Sequence, residues 1–230
     1  MRVLILILSS DCESDHYTIE NGISKTWNSE SFDDAPTFHY FGNKTSCYHD
    51  SSSIFTTCKE DYNLMGLRTI EAFEYALNTF EFDYIFRTNI SSYVNKEKLI
   101  NWLKSKKRSN FYSGVVGNFH GINFASGSGF TISRDLVSLL CDSKYSLDYN
   151  LIDDVCFGNF ITKKVNIVPA PRIDFSKPQQ VTNFDPEAVI HTAARVGGLL
   201  DNFHFRCKSL GDRVHDSTIM NLIHSELKKK

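Results

Sequence analysis

The chain has 230 residues, of which 41% are hydrophobic and 23% charged, and its formal net charge is −2. A chain of that length suits one domain with or without a C-terminal extension, and it buries enough surface to fold without disulfides or a structural metal. Near-neutrality excludes a general pull toward nucleic acid or an anionic membrane, so no membrane partner is expected. A nucleic-acid partner would rest on one local basic run, Lys104, Lys106, Lys107 and Arg108.

Val3–Leu8 is a continuous apolar run, the pattern of a parallel strand covered on both faces. It is too short to span a membrane and carries no cleavage pattern, so a soluble cytoplasmic protein, cellular or viral, is expected. Polar residues 9–15 follow at the strand end where open α/β sheets bind ligands, which makes Ser9 a candidate contact. Ile19, Ile23 and Trp27 recur at i, i+4, i+8 and predict a helix over Tyr17–Trp27. Thr37–Phe41 reads as a strand closed by Gly42, and Asp50–Lys59 as Ser/Thr-rich loop. Leu64, Leu67, Ile70, Phe73 and Leu77 form the apolar stripe of a helix over Leu64–Phe80. Phe82–Arg87 reads as a strand, with polar Thr88–Ser92 at its C-terminal end.

Lys96–Lys106 is predicted helical and Phe111–Val116 extended. Glycines crowd Phe124–Ile132, where bare backbone can approach a ligand closely. Ser133 is read as the cap of a helix running to about Cys141, and Asp153 and Asp154 as the opening of another running to about Ile161. Val165–Val168 is predicted to be a strand, broken by Pro169 and Pro171. Val189–His191 is read as a last strand and Asp212–Leu227 as a helix. Alternating strands and helices argue for a layered α/β fold. The six cysteines, at 12, 47, 58, 141, 156 and 207, form no CxxC pair. They read as thiols in a reducing compartment, with Cys141 and Cys156 buried.

Four segments in order resemble the β-1,3-glycosyltransferase family of Fringe and the β-1,3-galactosyl- and N-acetylglucosaminyltransferases. ISKTW (Ile23–Trp27) is similar to that family's IRxTW. EDYNLMGLRTIEAFEYAL (Glu60–Leu77) is similar to DsYxNLTxKT and its helix. FDYIFRTNISSYVN (Phe82–Asn95) stands where the family has yvlKtDDDvFvn. FASGSGFTISRDL (Phe124–Leu136) and IDDVCFG (Ile152–Gly158) resemble YcsGgGYvlSrdl and pEDVyvG. The likeness covers roughly residues 1–170. It implies a single domain over residues 1–230 with the GT-A (Rossmann-like) fold, a mostly parallel central sheet flanked by helices, and a C-terminal extension with a helix at about 212–227. It also implies an inverting sugar transfer from a nucleotide-sugar donor, a UDP-sugar by analogy, to a hydroxyl on a saccharide acceptor.

On the same resemblance Asp154 matches the aspartate that acts as general base, with Asp153 beside it. A helix N-terminus would depress the Asp154 pKa and keep it ionised; the competing reading is that both aspartates only cap the helix. The family's acidic triplet holds a divalent cation, Mn²⁺ or Mg²⁺, against the donor diphosphate. Here Asn89, Ile90 and Ser91 stand in its place, and an amide and a hydroxyl lack the carboxylate oxygens such a cation wants. The expectation is activity that is metal-independent or only weakly stimulated by metal. Arg87, Lys25, His191, Arg195 and Arg206 are candidates to neutralise the diphosphate, and His191, with His204 second, is the candidate metal ligand. Thr26, Trp27, Asn89, Ser91, Ser92, Gly127, Ser128 and Gly129 complete the candidate donor site. Two other functions stay open: a catalytically inactive binder of nucleotide-sugar or glycan, and a transferase acting on a modified nucleic-acid base.

Overall fold

The structure is a computed structural model that describes residues 1–175, 185–195, 198–208 and 212–229. The chain opens with β1 (Val3–Leu8), α1 (Glu13–Thr18), a π-helical turn (Ile19–Ile23), β2 (Thr37–Phe41), β3 (Tyr48–His49) and β4 (Ser53–Phe55). A 3-10 turn (Tyr62–Leu64) then leads into α2 (Met65–Thr79), followed by β5 (Tyr84–Asn89), β6 (Ser92–Val94) and α3 (Lys96–Leu103). Next come β7 (Tyr112–Phe119), β8 (Ile122–Ser133), α4 (Arg134–Asp142), α5 (Asp153–Ile161), β9 (Ile167–Pro169) and β10 (Ile173–Asp174). The last elements are α6 (Pro186–Arg195), α7 (Gly198–Asp201), β11 (His204–Arg206) and α8 (Arg213–Lys228). The backbone groups into two compact units. One comprises Met1–Asp11, Asp33–Asn89 and Lys104–Ala170, the other Cys12–Phe32, Ile90–Leu103 and Pro171–Lys230.

The first unit is built on an eight-stranded sheet of order β3-β4-β2-β1-β5-β8-β7-β9. β1 pairs in parallel with β2 and β5, β2 with β4, and β7 with β9, whereas β3–β4, β5–β8 and β7–β8 are antiparallel. The β7–β8 hairpin turns through His120 and Gly121, with φ of 47° and 84°. Two positive φ values suit a two-residue hairpin turn, and glycine takes the second without penalty. Side chains from α2, α4 and α5 share a core with Leu4 and Leu6 of β1, Tyr40 of β2, Ile85 of β5 and Phe130 and Ile132 of β8. Nearly all of β1 is buried, which is why its sequence is apolar without alternation.

The second unit holds a three-stranded sheet of order β10-β11-β6. Asp212 caps α8, its side chain accepting from His215 N at 3.1 Å, and Ile219, Met220 and Ile223 are the helix's buried residues of the apolar kind. A Cβ at Gly22 would lie 2.9 Å from Met220 Sδ, so α8 packs against the bare backbone of the π-helical turn.

The sequence-based elements differ from these in several places. Val189–His191 is helical, inside α6. Asp185 accepts from the backbone N of Glu187 and Ala188, and Pro186 takes the first helical position, where its missing N–H costs nothing. The expected Tyr17–Trp27 helix is instead α1, the π-helical turn and a run of turns, so the i, i+4, i+8 pattern did not define one regular helix. The expected loop 50–59 contains β4, pinned in parallel to β2. α3 stops at Leu103, short of Lys106, and the predicted Val165–Val168 strand is β9, starting two residues later. Val165 is still in the turn that closes α5, its N–H donating to Ile161 O at 3.1 Å. Ser133 precedes α4 but makes no capping bond; its hydroxyl accepts from Phe111 N at 3.0 Å. The glycine-rich segment is the long strand β8.

All six cysteines are free, with Cys141, Cys156 and Cys207 buried. Among the described residues no helix is long and apolar enough to cross a membrane.

Candidate active site

Arg87 stands in β5 between Leu6 of β1 and Phe130 of β8, and strand alternation turns it to the face that buries Ile85. It is 2% exposed. A guanidinium at that depth is tolerated only if its donors are satisfied and its charge is met. Its Nε donates to Tyr40 Oη at 3.0 Å. One terminal nitrogen donates to the Gly127 carbonyl and the other to the Asp153 carboxylate. Tyr40 Oη lies 2.9 Å from Thr69 Oγ1, which donates to Met65 O at 2.8 Å, so the network is anchored on α2. Burial disfavours the cation, but Asp153, Tyr40 and Asp154 more than compensate, and the Arg87 pKa stays above its ordinary value.

Asp153 and Asp154 open α5. Asp153 is buried and paired with Arg87. Asp154 is half-buried; its Oδ2 accepts from Gly127 N at 2.7 Å and its Oδ1 from Val155 N at 2.9 Å. Gly127 therefore gives its carbonyl to Arg87 and its N–H to Asp154. A Cβ there would lie 3.0 Å from Arg87 Nη1 and 3.1 Å from Asp154 Oδ2. The backbone does approach closely at this glycine, and what it meets is this pair of side chains. The Asp154 pKa is raised, by burial first and by the Asp153 charge second, against the opposing pull of Gly127 N–H and Arg87. That reverses the depression expected from the helix N-terminus, because loss of water around the carboxylate outweighs the dipole.

Four other expected site residues lie in the same unit. Ser9 follows β1, buried, with Oγ 2.9 Å from His39 Nδ1. Asn89 ends β5 opposite Leu8. Gly129 pairs with Thr88, and the Ser128 carbonyl accepts from Thr88 Oγ1 at 2.6 Å. The structure thus gathers Arg87, Gly127, Asp153 and Asp154 into one bonded group. Tyr40, which sequence reasoning missed, completes it. Its one signal was a hydroxyl-bearing aromatic near the end of a strand adjacent to β1.

The remaining candidates lie in the second unit. Ser91 Oγ donates to Asp216 Oδ2 at 3.0 Å and accepts from Arg213 Nη1 at 2.7 Å. Arg213 also lies 3.0 Å from Asp216 and 3.4 Å from Asp15. Asp15, Arg213 and Asp216 were not singled out from the sequence. Ser92 Oγ is 3.1 Å from His204 Nε2. Thr26 Oγ1 donates to Gly22 O at 2.6 Å, a local backbone bond. His191 is on α6, its Nδ1 3.3 Å from Glu226 of α8, and Arg195 is exposed at the end of α6. Lys25 donates to Asn21 Oδ1 at 2.8 Å. Among the described residues no group of three or more His, Cys, Asp or Glu side chains is placed to hold a metal ion.

With this geometry established, comparison with solved structures defines the fold. A glycosyltransferase involved in glycosylating the major capsid of PBCV-1 matches with a TM-score of 0.57 at 8% identity, over 96% of this chain and 100% of that one. The galactosyltransferase LgtC, solved with donor and acceptor sugar analogues, matches with a TM-score of 0.48 at 8% identity, over 96% of this chain and 95% of that one. The mannosyltransferase PcManGT from Pyrobaculum calidifontis, solved with GDP-Man and Mn²⁺, matches with a TM-score of 0.46 at 10% identity, over 98% of this chain and 69% of that one. No protein-family model matches the chain, and no curated protein matches it. The first of these structural matches assigns the chain the GT-A glycosyltransferase fold.

Proposed function

We propose that the protein is an inverting glycosyltransferase that moves a sugar from a nucleotide-sugar, a UDP-sugar by analogy with the β-1,3 family, to a hydroxyl of a saccharide acceptor. The observation that carries this reading is the bonded group of Arg87, Gly127, Asp153 and Asp154 on a glycosyltransferase fold. Transfer to an alcohol needs a base for the acceptor proton. Asp154 suits that role better than Asp153, since Asp153 is buried and ion-paired with Arg87 through Oδ2 while Asp154 keeps partial exposure and a raised pKa. Arg87 is correspondingly a positioning residue: its three described bonds are internal, and it orients Gly127 and Asp153 in place of binding the diphosphate as the sequence suggested.

Asn89, Ile90 and Ser91 supply no carboxylate where the family places its metal-holding triplet, so turnover is proposed to be independent of, or weakly stimulated by, Mn²⁺ or Mg²⁺. The direct test is transfer by Asp154→Asn. Turnover should fall by about 10² to 10⁴ with donor binding retained, and unchanged turnover would remove Asp154 as base. The inactive binder of nucleotide-sugars is the competing reading, favoured by the internal commitment of Arg87. Wild-type protein that binds donor but neither transfers nor hydrolyses it, with or without added Mn²⁺, would establish that reading instead.

A further inference from the structure

Lys96 is the first residue of α3, and Asn95 caps that helix by accepting from Lys98 N at 3.0 Å. Only 6% of Lys96 is exposed. Its ammonium donates to the neutral Asn28 Oδ1 at 2.6 Å and lies 5.8 Å from the centroid of the Trp27 ring. Among the described residues no carboxylate pairs with it. Trp27 is 7% exposed, and its Nε1 is buried without a hydrogen-bond partner.

The Asn28 oxygen and the Trp27 ring face favour the ammonium, but three other features are unfavourable to a cation. A buried ammonium lacks a counter-charge. It stands at the positive end of a helix dipole. Its neighbour is an unused donor, an arrangement that rewards an acceptor. All three would favour an anion. Burial lowers the Lys96 amine to about 8, so an appreciable neutral fraction exists near neutral pH.

We propose that Lys96 is a carbon dioxide site, where the ε-amine forms a carbamate held by the Trp27 indole N–H and the Asn28 amide. The ammonium first gives a proton to water. The nitrogen lone pair then forms the N–C bond as one C–O π bond of CO₂ breaks, its electron pair going to oxygen. A second proton leaves nitrogen, and the lysine ends as a carbamate anion. No oxidant or further reactant is needed. The Asn28 side chain turns over so that its Nδ2 donates where its Oδ1 had accepted. A neutral triatomic reaches a site this closed without shedding an ionic hydration shell, which favours CO₂ over a free oxyanion. The inference stands independently of the glycosyltransferase reading.

The test is ¹³C NMR of the full chain in ¹³C-labelled bicarbonate at a pH near that of the amine. One saturable carbamate resonance is expected, absent in Lys96→Arg and weakened about tenfold in apparent affinity in Trp27→Phe, which keeps the ring and removes the donor. Trapping the carbamate as its alkyl ester in wild-type protein, followed by peptide mass mapping, places it on Lys96 without reliance on a variant. No resonance at saturation, or one that persists unchanged in Lys96→Arg, as a terminal-amine carbamate would, overturns the proposal. So does inorganic phosphate that stabilises wild type but not Lys96→Arg while no carbamate forms, since the site would then take a free anion.

Discussion

Gly127 has little room for a side chain because both neighbours of its missing Cβ are tethered: Arg87 by Tyr40 and Asp153, Asp154 by Val155 N. Gly127→Ala should cost about 1–3 kcal/mol by crowding, read as a lower urea midpoint, and a midpoint equal to wild type would show that the contact yields. Removing Arg87 leaves Asp153 buried without its partner, and Arg87→Met should cost about 3–5 kcal/mol on the same assay. Asp154 carries a pH signature. Its folded pKa is raised, so the folded state holds the proton more tightly than the unfolded chain. The linked stability is fully present below the unfolded pKa and is lost as pH rises through the folded one. Asp154→Asn should therefore match or exceed wild-type stability at neutral pH, with the Asn carbonyl still accepting from Gly127 N. Turnover runs oppositely, falling as pH drops through a value raised above that of an ordinary aspartate. A variant markedly less stable at neutral pH would contradict this sign. The pair Asp153–Asp154 was legible in the sequence, but the direction of the pKa shift was not, because burial at a helix start depends on residues far away in the chain.

At the scale of elements, α5 is held against β8 by a second glycine. A Cβ at Gly158 would lie 2.4 Å from Phe124 Cβ and 2.7 Å from Asn123 O. Backbone cannot rotate aside as a side chain can, so Gly158→Ala must displace α5. The helix carries Asp154 one turn before Gly158, and a shift of about 1 Å can cost about 10²-fold in rate. The expected result is a large loss of turnover from a residue outside the bonded group; retained turnover would mean α5 repacks without moving its N-terminus. Asp212→Ala at the α8 cap should cost about 1 kcal/mol. Long periodic or uniformly apolar elements, such as β1, α2 and α8, were legible from the sequence. The misreadings fell on short elements: Val189–His191 has strand-like residues, but Asp185 and Pro186 start a helix there. β4 exists only through its pairing with β2.

For the whole molecule, turnover in EDTA is the informative measurement, and retention of most activity is expected. Complete loss restored by Mn²⁺ would mean that carboxylates outside residues 89–91 hold a metal. The α/β class was readable because strands and helices alternate along the chain, whereas the pairing of Arg87 with Asp153 was not, since the sequence suggested a diphosphate ligand in Arg87. The polar group of Asp15, Ser91, Arg213 and Asp216 was not, since its members come from three separate stretches and no local pattern links them. That interleaving has a consequence for biosynthesis. Each unit is assembled from three stretches of chain. Arg87 and Asp153 are 66 positions apart, while Ser91 and Asp216 are 125 apart. During synthesis the ribosome delivers every stretch of the first unit by Ala170. Ser91 at that stage still waits for α8, with Ile90, Tyr93 and Val94 short of their final burial. Such apolar surface is what chaperones retain and what drives aggregation when translation stalls. A nascent chain halted just after Ala170 has cleared the ribosomal exit tunnel is thus expected to resist protease over the first unit while the segments 12–32 and 90–103 are cut.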